Sequence, residues 1–74
     1  NNILTVLSRE SYNILSKNKN ITDKQMLMEG LKPITENFSN IVFTPIGIKI
    51  YFPQYQIAPY SAGSFQALIN YKNI

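Results

Sequence analysis

The sequence predicts an α+β domain, with two N-terminal helices packed on a small three-stranded, mainly antiparallel sheet. Three observations predict it. Apolar residues recur at helical spacing near the start of the chain, in residues 3–17. β-branched and aromatic residues alternate only after about residue 40. The chain has 74 residues, which suits one domain over 1–74 and leaves no room for a second.

The first helix is expected over residues 3–17. Leu4, Leu7, Ile14 and Leu15 form its apolar face, with Ser11 in the gap, while Arg9, Glu10, Asn13 and Lys17 lie largely opposite. The polar run Lys17-Asn18-Lys19-Asn20 should end it, and basic residues suit the negative end of the helix dipole. A second helix is expected over 22–30. Thr22 and Gln25 have the spacing of a capping box, Asp23 suits the positive start of the helix, and Gly30 reads as the residue just past its end. Met26, Leu27 and Leu31 should supply its buried face.

Strands are expected at about 40–45, 47–52 and 64–71. The first two form a hairpin beginning near Phe38, and Thr44-Pro45-Ile46-Gly47 is its turn. Pro45 fixes φ there, and Gly47 is expected to take a positive φ. Ile48, Ile50 and Phe52 share one face of the second strand, which Pro53 terminates because it cannot donate to a ladder. Phe65, Ala67, Ile69 and Tyr71 share one face of the third. Pattern alone does not place that strand in the sheet.

Composition excludes most chemistry. There is no His and no Cys, which removes the commonest general base, the commonest metal ligand and any disulfide. The four acids Glu10, Asp23, Glu29 and Glu36 are dispersed. Ser16-Lys17-Asn18-Lys19 matches a nucleophile motif of penicillin-binding enzymes, but its companion motifs are missing. The glycines stand singly at 30, 47 and 63, so no phosphate-binding loop exists. We therefore expect no enzyme activity, no catalytic or metal site and no cofactor in these residues. The net charge of +3 would permit a patch for wall teichoic acid, lipid heads or nucleic acid. A solvated surface explains it better, because the lysines are not interleaved with stacking aromatics. The apolar runs are too short to span a bilayer. The chain opens on Asn1 without Met or signal features, and we expect it to be a piece of a longer protein.

The segment Tyr51–Gly63 is the most constrained chemically. Tyr55 and Tyr60 are rigid and amphipathic, a type favoured in binding surfaces, and Gln54, Gln56 and Ser61 could hydrogen-bond a ligand. Alternatively the segment is a corner, in which Pro53, Pro59 and Gly63 set the chain direction while Tyr55, Ile57 and Tyr60 plug the sheet edge. The corner reading is preferred for both tyrosines, because a small domain needs its aromatics in the core.

The second half resembles a known family. Asn37-Phe38-Ser39, Phe43-Thr44, Gly47, Tyr51-Phe52, Tyr55, Ile57-Ala58-Pro59-Tyr60 and Ala62-Gly63, followed by Ile69-Asn70-Tyr71, look like the signature of the domain of unknown function 3298. The helical half fits more loosely. The resemblance implies a fold similar to a subdomain of heat-shock cognate ATPases, without any nucleotide motif. It also implies an extracytoplasmic, bacterial cell-surface or secreted setting. Such domains occur in anti-sigma factors of the lysozyme-sensing type and beside polysaccharide deacetylases that act on peptidoglycan.

The expected function is a non-catalytic binding or sensor module of a cell-envelope protein. Its partner would be a lysozyme-like protein, a wall glycan or an adjacent domain of the same chain, with no nucleic acid and no membrane insertion. The alternative is an accessory domain of a wall-modifying enzyme. The candidate motif is Tyr51, Phe52, Tyr55, Gln56, Ile57, Ala58, Pro59, Tyr60 and Gly63.

Overall fold

The computed structural model describes residues 2–74. Helix α1 spans Ile3–Leu15 and α2 spans Lys24–Gly30. A 3₁₀ turn at Thr35–Phe38 leads into strands β1 (Ile41–Phe43) and β2 (Gly47–Phe52). Strand β3 (Phe65–Asn70) follows a second 3₁₀ turn at Tyr60–Ala62. The sheet order is β1-β2-β3 and both pairings are antiparallel, which places the third strand that pattern alone could not.

Both helices start at side-chain caps. Asn2 Oδ1 accepts from the Leu4 amide at 2.9 Å. In α2 the cap is Asp23, whose Oδ1 accepts from the Met26 amide at 3.0 Å, and the expected Thr22–Gln25 box does not form. An aspartate at this position satisfies an orphan amide and also opposes the positive end of the helix with a full charge. Helix α1 stops two residues short of the expected Lys17. Ile21, in the polar connection, is buried and pins that loop to the core.

The register sorts the sheet into two faces. Ile48, Ile50 and Phe52 face inward with their partners Ile69, Ala67 and Phe65 on β3 and Ile41 on β1. The buried face of α1, centred on Leu7, Ser11 and Leu15, packs across β3. Leu27 of α2 and Leu31 just past its end complete the layer, and Phe38 meets Phe52 edge-on with ring centroids 6.1 Å apart. Phe38 thus belongs to the 3₁₀ turn, and β1 is shorter than the expected 40–45.

The hairpin turn closes differently from expectation. Gly47 does not take a positive φ. It is the first residue of β2, and a Cβ there would overlap the backbone carbonyl of Ile69, so close strand approach requires the glycine. The turn is held by Thr44. Its hydroxyl donates to the Gly47 carbonyl at 2.8 Å and accepts from the amides of Gly47 (3.1 Å) and Ile46 (3.3 Å). Tyr71 leaves β3 for a terminal 3₁₀ turn, and its hydroxyl donates to the Thr44 carbonyl at 2.7 Å.

Two stability predictions follow from these contacts. Thr44→Val keeps the shape but strips three hydrogen bonds from the turn, and should cost about 1–2 kcal/mol in denaturant unfolding. An unchanged midpoint would show that the hydroxyl does not hold the hairpin. The Ser11 hydroxyl is fully buried with no hydrogen-bond partner. Removing such a group relieves an unmatched desolvation cost, so Ser11→Ala should stabilise the fold by up to about 1 kcal/mol. Destabilisation would mean that the hydroxyl is satisfied in solution.

Candidate functional site

The segment after β2 divides its residues between core and solvent. Phe52, Ile57 and Ala58 are buried. Tyr51 points from the outer sheet face, where Lys49 Nζ lies 5.9 Å from its ring centroid. Tyr55 and Tyr60 are 65% and 67% exposed, so neither plugs the sheet edge as expected. Their rings meet edge-to-face at 72° with centroids 5.7 Å apart. Of the three residues in the corner reading only Ile57 is buried, together with its neighbour Ala58.

Backbone geometry sets Tyr55 outward. The Gln56 amide donates to the Pro53 carbonyl at 3.3 Å, closing a four-residue turn, and Tyr55 is its third residue with φ of +72°. That is the position of a type II turn where glycine is usual. Tyr55 is the one non-glycine residue with positive φ among those described. Pro59 is exposed and opens the 3₁₀ turn that carries Tyr60. Gly63 ends that turn with φ of +83°, and a Cβ there would meet open space, so conformation and not crowding calls for glycine.

Gln56 is committed to the fold and is not free for a ligand, contrary to expectation. Its Nε2 donates to the carbonyls of Gly30 and Asn37, both at 3.0 Å. Asn37 Nδ2 in turn donates to the Lys32 carbonyl at 3.1 Å and the Glu29 carbonyl at 3.4 Å. These bonds satisfy carbonyls at the end of α2 and tie helix, 3₁₀ turn and tyrosine loop together. Gly30 is the last residue of α2, where it was expected just beyond the helix. It is buried, and a Cβ on it would collide with the Gln56 backbone carbonyl and approach the Ile57 side chain.

A concave feature elsewhere on the surface was not foreseen. A groove of about 500 Å³ runs between α1 and the segment from Met28 to Pro33, lined by Tyr12, Met28, Leu31 and Pro33. Arg9 and Lys32 flank it, but each meets a carboxylate, Glu10 at 3.2 Å and Glu29 at 3.0 Å. Contributors from separate elements gave no local motif that could have marked it. Among the described residues, no group of three His, Cys, Asp or Glu side chains could hold a metal ion. Among those residues, no helix is long and apolar enough to cross a membrane.

The fold and this surface define a small α+β domain that presents an aromatic pair on a tightly docked loop. A family model described as protein of unknown function (DUF3298) matches residues 1–72, and the chain belongs to that family. No curated protein and no solved structure matches it.

Gly30→Ala separates helix preference from packing. Alanine is intrinsically the better helix residue by about 1 kcal/mol. The collision with Gln56 should outweigh that, giving a net loss of about 1–3 kcal/mol in chemical unfolding. A more stable variant would show that the loop does not dock on α2 as described.

Proposed function

We propose that this domain is a non-catalytic binding module of a bacterial cell-envelope protein, acting outside the cytoplasm. Its recognition surface is the Tyr55–Tyr60 pair. The observation that carries the reading is the conformation of Tyr55. A side chain other than glycine in the left-handed region costs about 1–2 kcal/mol. Tyr55 bears that cost while 65% exposed, so core packing returns little for it. Strain of this kind, kept by surroundings that over-determine it, is characteristic of functional positions.

The surroundings do over-determine it. Gln56, the next residue, is bonded twice to the backbone of other segments, and Ile57 and Ala58 after it are buried. A partner therefore meets two large rings whose loop is already ordered, which lowers the entropy lost on binding. Tyrosine supplies much contact area with few rotatable bonds. The two rings meet at 72° and present a face beside an edge, with two hydroxyls. That relief suits an uneven protein surface, and the ligand we propose is a lysozyme-like protein, with wall glycan as the comparison.

The test is a Tyr55→Gly substitution. Glycine accepts the backbone conformation, so stability should stay level or rise by up to about 1 kcal/mol. NMR titration of the parent chain with lysozyme should move amide resonances over residues 54–61, and the variant should lose that response. A parallel titration with muropeptides distinguishes the glycan. No movement there with either ligand, or a marked loss of stability in the variant, would contradict the reading.

A further inference from the structure

We propose that the free edge of β3 pairs with the same edge of a second copy of this chain, joining two three-stranded sheets into one of six strands. The Thr44 amide bonds the Gly47 carbonyl and the Tyr51 amide bonds the Asn40 carbonyl, so Gly47, Lys49 and Tyr51 direct their backbone groups to β1. Ile48, Ile50 and Phe52 therefore bond to β3, as the Tyr71 amide does to the Ile46 carbonyl one step beyond. Antiparallel pairing alternates direction along each strand. Phe65, Ala67 and Ile69 thus face β2, while Gln66, Leu68 and Asn70 aim their N–H and C=O groups off the sheet. Among the described residues, no backbone or side-chain group from another segment bonds them there.

This edge lacks the devices that normally block pairing. Phe65-Gln66-Ala67-Leu68-Ile69-Asn70 has no charge, no proline and no bulge over six residues. The opposite edge is only three residues long and ends one residue before the Thr44–Pro45 turn.

What selects a second copy is self-complementarity. A two-fold axis at Leu68 places Leu68 opposite its own copy and Gln66 opposite Asn70, twice over. All three outward-facing residues then lie in hydrogen-bonded pairs, which no other two-fold register of this strand achieves. On the outer sheet face the two exposed Leu68 side chains meet at the seam, flanked on each side by a Gln–Asn amide pair. No like charges oppose one another across the seam. The pairing leaves the inward residues Ala67 and Ile69 where they are, already buried in the monomer.

Sedimentation of the 74-residue chain should show its mass rising toward twice the monomer as concentration approaches ~1 mM. Amide hydrogen exchange at Leu68 should slow as the dimer forms, while Ala67 and Ile69 are already protected at dilution. Leu68→Lys would set two ammonium groups against each other at the axis, at a position exposed in the monomer. It should weaken association by about tenfold or more without changing the circular dichroism spectrum. A monomer throughout the range overturns the proposal. So does a dimer in which Leu68 exchanges as fast as at dilution, or one that Leu68→Lys leaves intact. An edge that instead takes up an extended peptide of another protein, with the chain itself remaining monomeric, also overturns it.

Discussion

The close approach of the loop after β2 to the end of α2 is the contact on which the rest depends. At Gly30 the helix backbone lies so near the Gln56 carbonyl that no side chain fits between them. The Gln56 amide then reaches across to the Gly30 and Asn37 carbonyls. One junction thereby fixes three things: where α2 ends, where the 3₁₀ turn that carries Phe38 lies, and which way the loop runs. Ile57 and Ala58 can be buried only because that direction is set. In so small a domain, which buries about 60% of its unfolded surface, a junction joining the helical layer to the sheet carries a large share of cooperativity.

The same junction explains why two tyrosines stand in solvent. With Gln56 and Ile57 held inward, the residue before them must turn sharply, and Tyr55 takes the positive φ that the turn demands. Tyr60 sits on the short turn opened by Pro59, and the rings close on each other. Their contact is worth about 0.5–1.5 kcal/mol when aromatic pairs are buried, and less at this exposure. Local packing does not account for a strained, exposed tyrosine where glycine would serve. The proposed presentation to a partner would.

Layering and pairing were legible because they follow from periodicity. Leu7 and Leu15 mark one face of α1, and the alternation Ile48, Ile50, Phe52 against Phe65, Ala67, Ile69 defines the inner sheet face. Functions of individual residues were less legible, because tertiary contact decides them. Gly30, Gly47 and Gly63 look alike in sequence. One is required by a helix–loop contact, one by a strand–strand contact and one by conformation. Gln56 is written like any surface glutamine, yet its partners lie 26 and 19 residues away. Nothing local distinguished Tyr55 from Ile57. Apolar burial sorted them, and the aliphatic pair Ile57–Ala58 took the core position. The family signature covered these residues without saying which of them face outward.

The tyrosine pair and the β3 edge are different kinds of surface. One is a rigid aromatic relief on a loop, the other a row of unpaired backbone groups. Both lie next in sequence to residues that complete the core: Ile57 and Ala58 between the tyrosines, Ala67 and Ile69 on either side of Leu68. The central claim is that the tyrosine loop is held in one conformation before any partner arrives. Backbone ¹⁵N relaxation of the free chain tests it most directly. The account predicts order parameters of about 0.85 for residues 54–60, matching the sheet, whereas values below about 0.6 would contradict it.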